Sequence, residues 1–458
     1  MPTKILTSKQ HFTKKLKDPP GSKVKFAVTD IDGVLRGKVV SKEKLVKSLE
    51  TGIHFCNVIF GWDMSDALYD NTDVSGWHTG YRDALATIDT NTLRHIPWDH
   101  NCPMVLGDFT NSPDEISSVC PRALLKKVAK KASDMGFKPV FANEFEWFNF
   151  NETPNSLRDK NYINPEPLTP GMFGYSLLRS SFKNKYFNAL FNQLERFDIP
   201  LEGLHTETGE GVYEAAIAKS HILEAADRAT LFKTAVKELA YNYDIMASFM
   251  AKWSNRFPGC SGHIHQSLWD PDETKNLFYD PGKSSNTSSL MEHYIAGQLH
   301  CLPFIMPMYA PTINSYKRYV PGSWAPVSIS WGYENRTAAL RIINHYESST
   351  RVENRVPGSD ANPYLSMAAS LASGLYGIEH ELELSVEVSD GNEYANKQST
   401  PLPESLVEAT NAMKNSDIPE ELFGETFCSH FITTREWETR QHQSETDNWE
   451  MKRYFEII

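Results

Sequence analysis

Three segments of this 458-residue chain place ionisable or metal-binding side chains at every second position. In a β-strand, residues i and i+2 point to the same face, so each segment would aim two or three such groups in one direction. Burying an uncompensated charge is costly, and these groups therefore need a neutralising partner. The pattern predicts strands that line a charged wall, neutralised by metal ions and an anionic substrate. The segments are Glu144-Phe145-Glu146, His263-Ile264-His265-Gln266-Ser267 and Arg351-Val352-Glu353-Asn354-Arg355.

Length and charge restrict the class of protein. A chain of 458 residues is too long for one small core and indicates two or three domains. With 46 Lys and Arg against 58 Asp and Glu, the net charge of −12 argues against nucleic acid as a main partner. The six cysteines include no C-x-x-C pair, so neither a zinc knuckle nor a disulfide framework is indicated. A reducing, cytoplasmic setting fits best.

Signals for membranes and targeting are not evident in the sequence. No apolar run approaches the ~18 residues of a membrane span, so we expect no membrane partner. Residues 1–17 are rich in lysine but have no apolar signal core and lack the arginines of a transit peptide. We expect this first segment to be helical or disordered.

Local patterns predict an alternation of strands and helices. Two β-branched runs within residues 24–40 flank Asp32-Gly33, which predicts a β-hairpin. Residues 50–110 are rich in Gly, Asp, Asn and Thr, and they predict short strands joined by loops. A helix at about 120–135 ends before Gly136, and Pro139 then precedes the strand of Glu144 and Glu146. Further helices are predicted at 220–250, 287–301 and 362–378, a polar surface segment at 390–420, and a domain boundary near 110–120.

The segment Asp30-Ile31-Asp32-Gly33-Val34 admits two interpretations. It resembles the nucleophile motif of the haloacid-dehalogenase phosphatases, in which Asp30 attacks phosphorus and Asp32 is the acid/base. Asp108 and Asp114 would then mimic the acidic metal motif of that family. The alternative is a hairpin in which Asp-Gly supplies the turn geometry. We favour the hairpin, because such a phosphatase would end by about residue 115 and leave most of the chain unexplained.

Acidic residues and imidazoles form a candidate metal site. Glu207 and Glu214 lie in a second acidic segment and join Glu144 and Glu146. Hard oxygen ligands of this number, together with an imidazole, suit Mg²⁺ or Mn²⁺. Any single glutamate is more often a solvated surface group, but aromatic residues surround the first pair. His263 and His265 follow a tight turn and share one strand face, which indicates a strand that lines a ligand. 

Five arginines fall within about forty residues of an otherwise acidic chain. The planar fork of arginine matches the oxygens of carboxylates and phosphates, so several of them are candidates for anion binding. Surface salt bridges remain the alternative for any one of them. A straight strand would send Arg336 and Arg341 to opposite faces, since they are five positions apart, and spacing alone does not unite that pair. The five are Arg318, Arg336, Arg341, Arg351 and Arg355.

Taken in order, the motifs of the chain resemble those of the glutamine synthetase superfamily, and the resemblance covers most of the sequence. The closing segment WEMKRYFEII (449–458) is similar to the end of its glutamate–amine ligase branch, which includes the γ-glutamylpolyamine synthetases. The other motifs are DIDGVLRGK (30–38), Glu144/Glu146, Glu207/Glu214, GCSGHIHQSLW (259–269), NSYKRYVPG (314–322), ENRTAALRI (334–342) and RVENRVPGSDANPY (351–364).

The resemblance implies an α+β protein with two domains. An N-terminal β-grasp-like domain would span residues 1–115, and a catalytic α/β domain with a mainly antiparallel sheet would span residues 116–458. It also implies a homo-oligomer, as a dodecamer of two stacked hexameric rings with active sites between neighbouring subunits. The partners would be glutamate, ATP as co-substrate and a small amine, with two or three Mg²⁺ or Mn²⁺ ions at each site.

The resemblance assigns roles to individual residues. Asp63, Arg336 and Glu353 would be catalytic, with Asp63 reaching the amine site of the neighbouring subunit. One metal ion would be held by Glu146, Glu207 and Glu214, and the other by Glu144, His263 and Glu353. The nucleotide would contact His265, Ser267, Arg336, Arg341 and Arg351. The substrates would contact Gly259, Arg318, Trp324 and Arg355.

The chain departs from the true glutamine synthetases near the motif NSYKR-x-VPG. Those enzymes carry an acidic residue shortly after the motif, where this chain has Trp324. An aromatic ring attracts a cation and shields an apolar substituent but cannot accept a proton. Pro258 also replaces the asparagine that the family places beside the glutamate-binding glycine. These differences favour an organic amine over ammonium and predict a γ-glutamylamide-forming ligase. A true glutamine synthetase and a non-catalytic structural homologue remain as alternatives.

Overall fold

A computed structural model describes residues 8–17, 21–112, 115–446 and 448–455. Its strands are β1 (Lys23–Thr29), β2 (Leu35–Ser41), β3 (Ile53–Cys56), β4 (Asp83–Ile88), β5 (Arg94–Ile96), β6 (Cys102–Asp108), β7 (Lys138–Phe150), β8 (Leu201–Thr206), β9 (Val212–Ile217), β10 (Ser220–His221), β11 (Met246–Ser248), β12 (Gly262–Trp269), β13 (Trp331–Tyr333), β14 (Leu340–Ile343) and β15 (Arg351–Asn354). Its helices are α1 (Ser8–Lys17), α2 (Lys42–Lys47), α3 (Ile116–Val119), α4 (Pro121–Asp134), α5 (Pro154–Asp159), α6 (Leu177–Phe182), α7 (Asn184–Arg196), α8 (Ile222–Tyr241), α9 (Ser289–Ile305), α10 (Pro363–Glu379), α11 (Leu406–Lys414), α12 (Ile418–Phe423), α13 (Glu425–Ser444) and α14 (Asn448–Tyr454).

The N-terminal strands form a small sheet in the order β2-β1-β6-β4-β3, with β5 also paired to β6. The predicted hairpin is confirmed, because β1 and β2 pair antiparallel from Lys23 opposite Ser41 to Thr29 opposite Leu35. Gly33 has a φ of +82° in the connecting turn, a conformation that glycine adopts without steric cost. The strands β1 and β6 are parallel, and the other pairs in this sheet are antiparallel.

The remaining strands form a large sheet in the order β13-β14-β15-β12-β7-β9-β8, and β10 and β11 pair with the ends of β7. Only β13 and β14 run parallel among the described strands of this sheet, so the predicted α+β fold with a mainly antiparallel sheet is confirmed. The 13-residue strand β7 is central and pairs with β12 on one side and β9 on the other. The domain boundary near residue 115 stays a prediction.

The two faces of β7 have opposite characters. Phe145 and Trp147 point away from Glu144 and Glu146 and are buried against helix α8 and the segment after β11. The ring of Phe145 stacks on Phe232 with centroids 5.8 Å apart, and Trp147 lies 5.9 Å from Phe249. Aromatic packing of this kind fixes the strand, so the charged face of β7 is held on a rigid support.

Most predicted helices are confirmed, and two predictions need correction. Helix α4 ends before Gly136, which has a φ of +83°, and α10 begins with Asn362 as its cap and Pro363 at its first position. The helix predicted at 220–250 was too long, because α8 ends at Tyr241 and residues 246–248 form β11 against β7. The segment 390–420 is not merely a surface loop, since α11 buries one face of apolar residues there.

The junction between the small sheet and the helices depends on the buried guanidinium of Arg122 in the first turn of α4. Its Nη1 donates to Asp108 at 2.5 Å, its Nη2 to Asp89 at 2.8 Å, and its Nε and Nη2 to both oxygens of Asp227 at 2.8 Å. Asp227 also accepts a hydrogen bond of 2.6 Å from Tyr364. One cation therefore joins carboxylates from the small sheet to α8 and α10.

These contacts remove the phosphatase interpretation. Asp30 accepts a hydrogen bond from Arg36 Nε at 2.8 Å, and Asp32 accepts one from Arg435 Nη2 at 2.6 Å. Asp108 is bound by Arg122 and Lys126, and Asp114 lies outside the described residues. Each described aspartate of the proposed motif is therefore held in an ion pair and serves the junctions of the fold. No helix in the described part of the chain is long and apolar enough to cross a membrane.

We predict that Arg122→Met destabilises the protein by about 3–5 kcal/mol, because it leaves buried carboxylates without their cation. The measurement is the midpoint of thermal unfolding. Lys130→Met is the matched control, since Lys130 pairs with Asp134 on an exposed helix surface and such a pair contributes at most about 1 kcal/mol. Equal midpoints for the two variants would contradict the role assigned to Arg122.

Candidate active site

The charged residues of the large sheet lie in register across six neighbouring strands. On β7, Glu144 pairs with His263 of β12, and Glu146 pairs with Glu214 of β9. Beyond these pairs, Glu214 is opposite His205 of β8, His265 is opposite Glu353 of β15, and Glu353 is opposite Arg341 of β14. Cross-strand partners share a face, so the predicted charged wall exists and extends from β14 to β8.

One cluster on this wall contains Glu144, His263, His265 and Glu353. His263 Nδ1 lies 3.3 Å from Oε1 of Glu144 and 3.3 Å from Oε1 of Glu353. One potential ligand atom from each of Glu144, His265 and Glu353 lies within 4.8 Å of the other two, a spacing that could accommodate a metal ion. Burial, aided by the charge of Arg355, lowers the pKa of His263 to about 4. The imidazole is therefore neutral, the form that binds metals.

Glu353 is a buried carboxylate of this cluster that stays ionised. Burial would raise its pKa, but the charges of Arg355, His265 and His263 lower it to about 2. Its Oε1 accepts a hydrogen bond from Arg355 Nη1 at 2.5 Å, and its Oε2 accepts one from Arg341 Nη1 at 2.9 Å. This carboxylate therefore stays ionised and joins two arginines to the cluster.

A second cluster lies on the β8–β9 side of the wall. One ligand atom each from His205, Glu207 and Glu214 lies within 4.8 Å of the others, and Glu146 is the cross-strand neighbour of Glu214. Burial, together with the charges of Glu144 and Glu146, raises the pKa of Glu214 to about 8. Burial and the charge of Glu207 also raise the pKa of Glu146. These carboxylates repel one another, and a cation among them would relieve that repulsion.

The sequence interpretation missed His205 as a site residue. His205 and Glu207 alternate in the same way as the other charged segments, so the signal was present. His205 Nε2 lies 3.2 Å from Glu214, and its ring is 4.7 Å from that of Tyr175. Tyr175 is 70% exposed and has a positive φ of 55°, so its phenol is presented to solvent beside the second cluster.

The predicted nucleotide-binding residues lie mostly on the β14–β12 side of the wall. Arg341 donates to Glu334 and Glu353, and Arg351 Nε donates to His265 Nδ1 at 3.1 Å. Ser267 is buried and accepts a hydrogen bond from Trp269 Nε1 at 3.0 Å. Arg336 is exposed in the turn before β14. Because it lies outside the strand, the alternation of side chains along β14 does not determine which way it points relative to Arg341.

The predicted substrate-binding residues Arg318 and Arg355 have different surroundings. Both terminal nitrogens of Arg318 donate to backbone carbonyls, those of Arg355, Val356 and Pro357, at 2.8–3.0 Å. Arg355 has a buried Nε without a hydrogen-bond partner among the described residues, so it retains a donor for an anion. A side chain at Gly259 would approach the carbonyl of Ala251 to 2.3 Å, which only glycine avoids.

Asp63 and Trp324 lie in loops outside the two clusters. Asp63 accepts hydrogen bonds from the amides of Ser65 and Ala67 and from Trp437 Nε1, at 2.8–3.0 Å. The carbonyl of Trp324 accepts a hydrogen bond of 3.3 Å from Arg355 Nη2, while its indole is 56% exposed. The structure thus connects the Trp324 loop to the site, whereas the role of Asp63 stays a prediction.

Comparisons with known proteins agree with this geometry. Residues 118–454 match the glutamine synthetase catalytic domain. The chain belongs to the glutamine synthetase family. It is 49% identical to type-1 glutamine synthetase 2 of Dictyostelium discoideum, over 100% of this chain and 88% of that protein. It is 36% identical to the glutamate–isopropylamine ligase of a Pseudomonas species, over 95% of each protein.

A solved structure of a GmaS/ADP complex shows the same fold. It superposes with a TM-score of 0.84 at 24% identity, over 97% of this chain and 99% of that chain. The predicted family and fold are confirmed by these matches. Glutamine synthetase family members use ATP and a divalent metal ion, whereas the ions, their number and the ligand assignments for this chain remain predictions.

We predict that Glu214→Gln lowers the affinity for Mn²⁺ by at least about tenfold, because even residues that only support metal ligands contribute that much. The metal-free variant should not unfold at a lower temperature, because the neutral amide resembles the protonated carboxyl that the raised pKa of Glu214 favours in the absence of a cation. Calorimetric titration with Mn²⁺ and thermal unfolding measure the two effects. Glu202→Gln, at an exposed position of β8, is the matched control. Unchanged Mn²⁺ affinity in Glu214→Gln would rule out this carboxylate as a ligand.

Proposed function

We propose that this protein is an ATP-dependent ligase that joins the γ-carboxylate of glutamate to an organic amine and releases ADP and phosphate. The observation that carries the proposal is the charged wall, where repelling carboxylates stand beside a carboxylate bound to two arginines. Such a site suits cations and a polyanionic substrate at once. The name of the Pseudomonas relative, a glutamate–isopropylamine ligase, supports the same reaction.

The residues present fit two metal ions. Glu146, Glu207 and Glu214 would hold one; burial and neighbouring carboxylates raise the pKa values of Glu146 and Glu214, and a bound cation would stabilise their ionised forms. Glu144, His263 and Glu353 would hold the other, and the neutral imidazole of His263 is ready to bind it. Carboxylate oxygens together with one imidazole nitrogen favour Mg²⁺ or Mn²⁺. When bound, the ions would offset the charge that develops on the transferred phosphoryl group.

The reaction has two steps. An oxygen of the γ-carboxylate of glutamate forms a bond to the γ-phosphorus of ATP, and the bond to ADP breaks, which gives γ-glutamyl phosphate. A neutral amine then attacks the acyl carbon, phosphate leaves, and a base accepts the proton of the amine. Arg336, Arg341 and Arg351 would bind the phosphates, and Arg355 would use its free Nε for glutamate.

A second candidate is glutamine synthetase itself, since the Dictyostelium relative carries that name. The difference lies in the nucleophile. Trp324 presents an exposed indole where a carboxylate would favour ammonium, and an aromatic surface suits the apolar part of an organic amine. We therefore propose an organic amine as the nucleophile and retain ammonium as the alternative.

The two candidates are separated by a panel of amines. Purified protein with ATP, Mg²⁺ and glutamate should release phosphate faster with alkylamines, ethanolamine, polyamines or aromatic amines than with ammonium. Mass spectrometry of the product identifies the γ-glutamylamide. Strong dependence on ammonium at low millimolar concentration, with no response to organic amines, would support glutamine synthetase instead.

We further propose that the protein is a homo-oligomer in which Asp63 acts in the site of a neighbouring subunit. Its carboxylate accepts hydrogen bonds from Ser65, Ala67 and Trp437, and none of these three belongs to the two clusters. The loop is well anchored, because Arg36 bridges Asp30 and Asp66 on one side of it. A rigid loop of this kind is suited to present a carboxylate to another subunit.

We predict that two inactive variants restore each other. Asp63→Asn and Glu353→Gln should each abolish phosphate release, whereas co-expressed subunits should regain activity, because a mixed interface combines one intact copy of each residue. Light scattering gives the oligomeric state, and the activity of the co-purified mixture is compared with that of either variant alone. A mixed oligomer as inactive as its parents would show that Asp63 does not act across an interface.

A further inference from the structure

The Trp324 loop, residues 319–327, has a conformation that its sequence does not favour. Trp324 has a φ of +65°, and bulky residues rarely adopt the left-handed region. Its indole is 56% exposed, so burial of the side chain does not hold it there. Contacts to the backbone of the loop must therefore maintain the conformation.

Two side chains hold successive carbonyls of this loop. Arg355 Nη2 donates to the carbonyl of Trp324 at 3.3 Å, and the hydroxyl of Tyr394 donates to the carbonyl of Ala325 at 3.1 Å. Ala325 is almost fully buried, while Trp324 beside it projects outward. Together the two donors set the orientation of the peptide groups on either side of Ala325, and hence the direction of the indole.

Tyr394 is itself held near the site. The segment that carries it, residues 389–402, pairs with the end of the Trp324 loop, since Leu402 N donates to Val327 and Ile329 N donates to Thr400, at 2.8–3.0 Å. Burial raises the pKa of Tyr394, and the charges of Arg355 and Arg318 act in the opposite direction. The phenol therefore lies close to both arginines predicted to bind glutamate.

A buried carboxylate makes this segment rigid. Glu393 is 3% exposed and accepts hydrogen bonds from the hydroxyls of Ser328, Ser389 and Ser399 at 2.5–2.8 Å. Its amide donates to Thr337 Oγ1 at 3.0 Å. Tyr394 therefore follows a residue, Glu393, that is held rigidly next to the Trp324 loop.

We propose that Tyr394 is a positioning residue for amine selection, whose hydroxyl fixes the Trp324 loop so that the indole faces the incoming amine. This inference rests on the proposed function. Without the hydroxyl, the loop samples other conformations, and only a fraction of the molecules presents the indole correctly. The apparent affinity for the amine falls by that fraction, whereas ATP and glutamate binding on the charged wall are little affected.

The first test is Tyr394→Phe, which removes only the hydroxyl. We expect KM for the preferred organic amine to rise about three- to tenfold, as for the loss of one hydrogen bond. The values of kcat and KM for ATP should stay within twofold of the parent, and the preference for that amine over ammonium should fall. Tyr241→Phe, at the exposed end of α8, is the matched control and should change none of these.

The second test is a double-mutant cycle with Trp324→Gly. Glycine adopts positive φ without strain and lacks the indole, so the hydroxyl of Tyr394 has nothing left to position. We expect Tyr394→Phe to have no further effect on the amine KM in that background. A full effect in the Trp324→Gly background, or an amine KM within twofold of the parent in Tyr394→Phe alone, would overturn the inference.

The amine preference of the parent protein distinguishes a failure of the proposed function from a failure of the role assigned to Tyr394. A parent that uses no organic amine contradicts the proposed function and this inference with it. A parent that uses organic amines, combined with an unaffected Tyr394→Phe variant, contradicts only the role of Tyr394. A general loss of kcat and of thermal stability in Tyr394→Phe would assign the hydroxyl a structural role instead.

Discussion

Repulsion between carboxylates on one face of the large sheet is the constraint around which the rest of the molecule is arranged. Glu144, Glu146 and Glu214 lie on adjacent strands, with Glu207 close to the last of them. The hydrogen-bonded pairing of β7 with β12 and β9 must offset this repulsion. The opposite face of β7 adds to it, since each aromatic pair there contributes about 0.5–1.5 kcal/mol beyond its buried area.

The two halves of the wall resolve the repulsion differently. On the β14–β15 side, Arg341 and Arg355 neutralise Glu353, and its pKa is low. On the β8–β9 side, no arginine takes that role for Glu214 in the described part of the chain, and its pKa is high. A polyanionic substrate is therefore best accommodated towards the arginines, and a cation towards the unneutralised carboxylates.

Alternation of residues was sufficient to predict the strands and the charged face, because a period of two follows from strand geometry. It could not predict register, and so it missed that His205 is opposite Glu214, since that pairing depends on a hairpin between β8 and β9. The end of α8 was also missed. Apolar residues continue past Tyr241 because Met246 and Ala247 pair with β7, and a buried strand and a buried helix are alike in composition.

Sequence motifs were least informative where a distant partner decides the role of a residue. Asp30 and Asp32 form a motif that catalysis and turn formation both use; chain length favoured the turn, and the contacts of Arg36 and Arg435 show what the two carboxylates do. Arg435 lies about four hundred positions away from Asp32, beyond the reach of any local pattern. The same applies in part to Glu393, because Ser389 and Ser399 are local partners whereas Ser328 lies 65 positions away.

Arg355 connects the charged wall to the Trp324 loop. Its Nη1 binds Glu353 on the charged wall, and its Nη2 binds the carbonyl of Trp324 in a loop whose left-handed residue costs about 1–3 kcal/mol. The loop contacts the wall through a backbone carbonyl, which any residue possesses. The side chain at position 324 can therefore differ without loss of this contact, as long as the residue tolerates a positive φ. This separation gives a physical reason why one family contains both a glutamine synthetase and a glutamate–isopropylamine ligase.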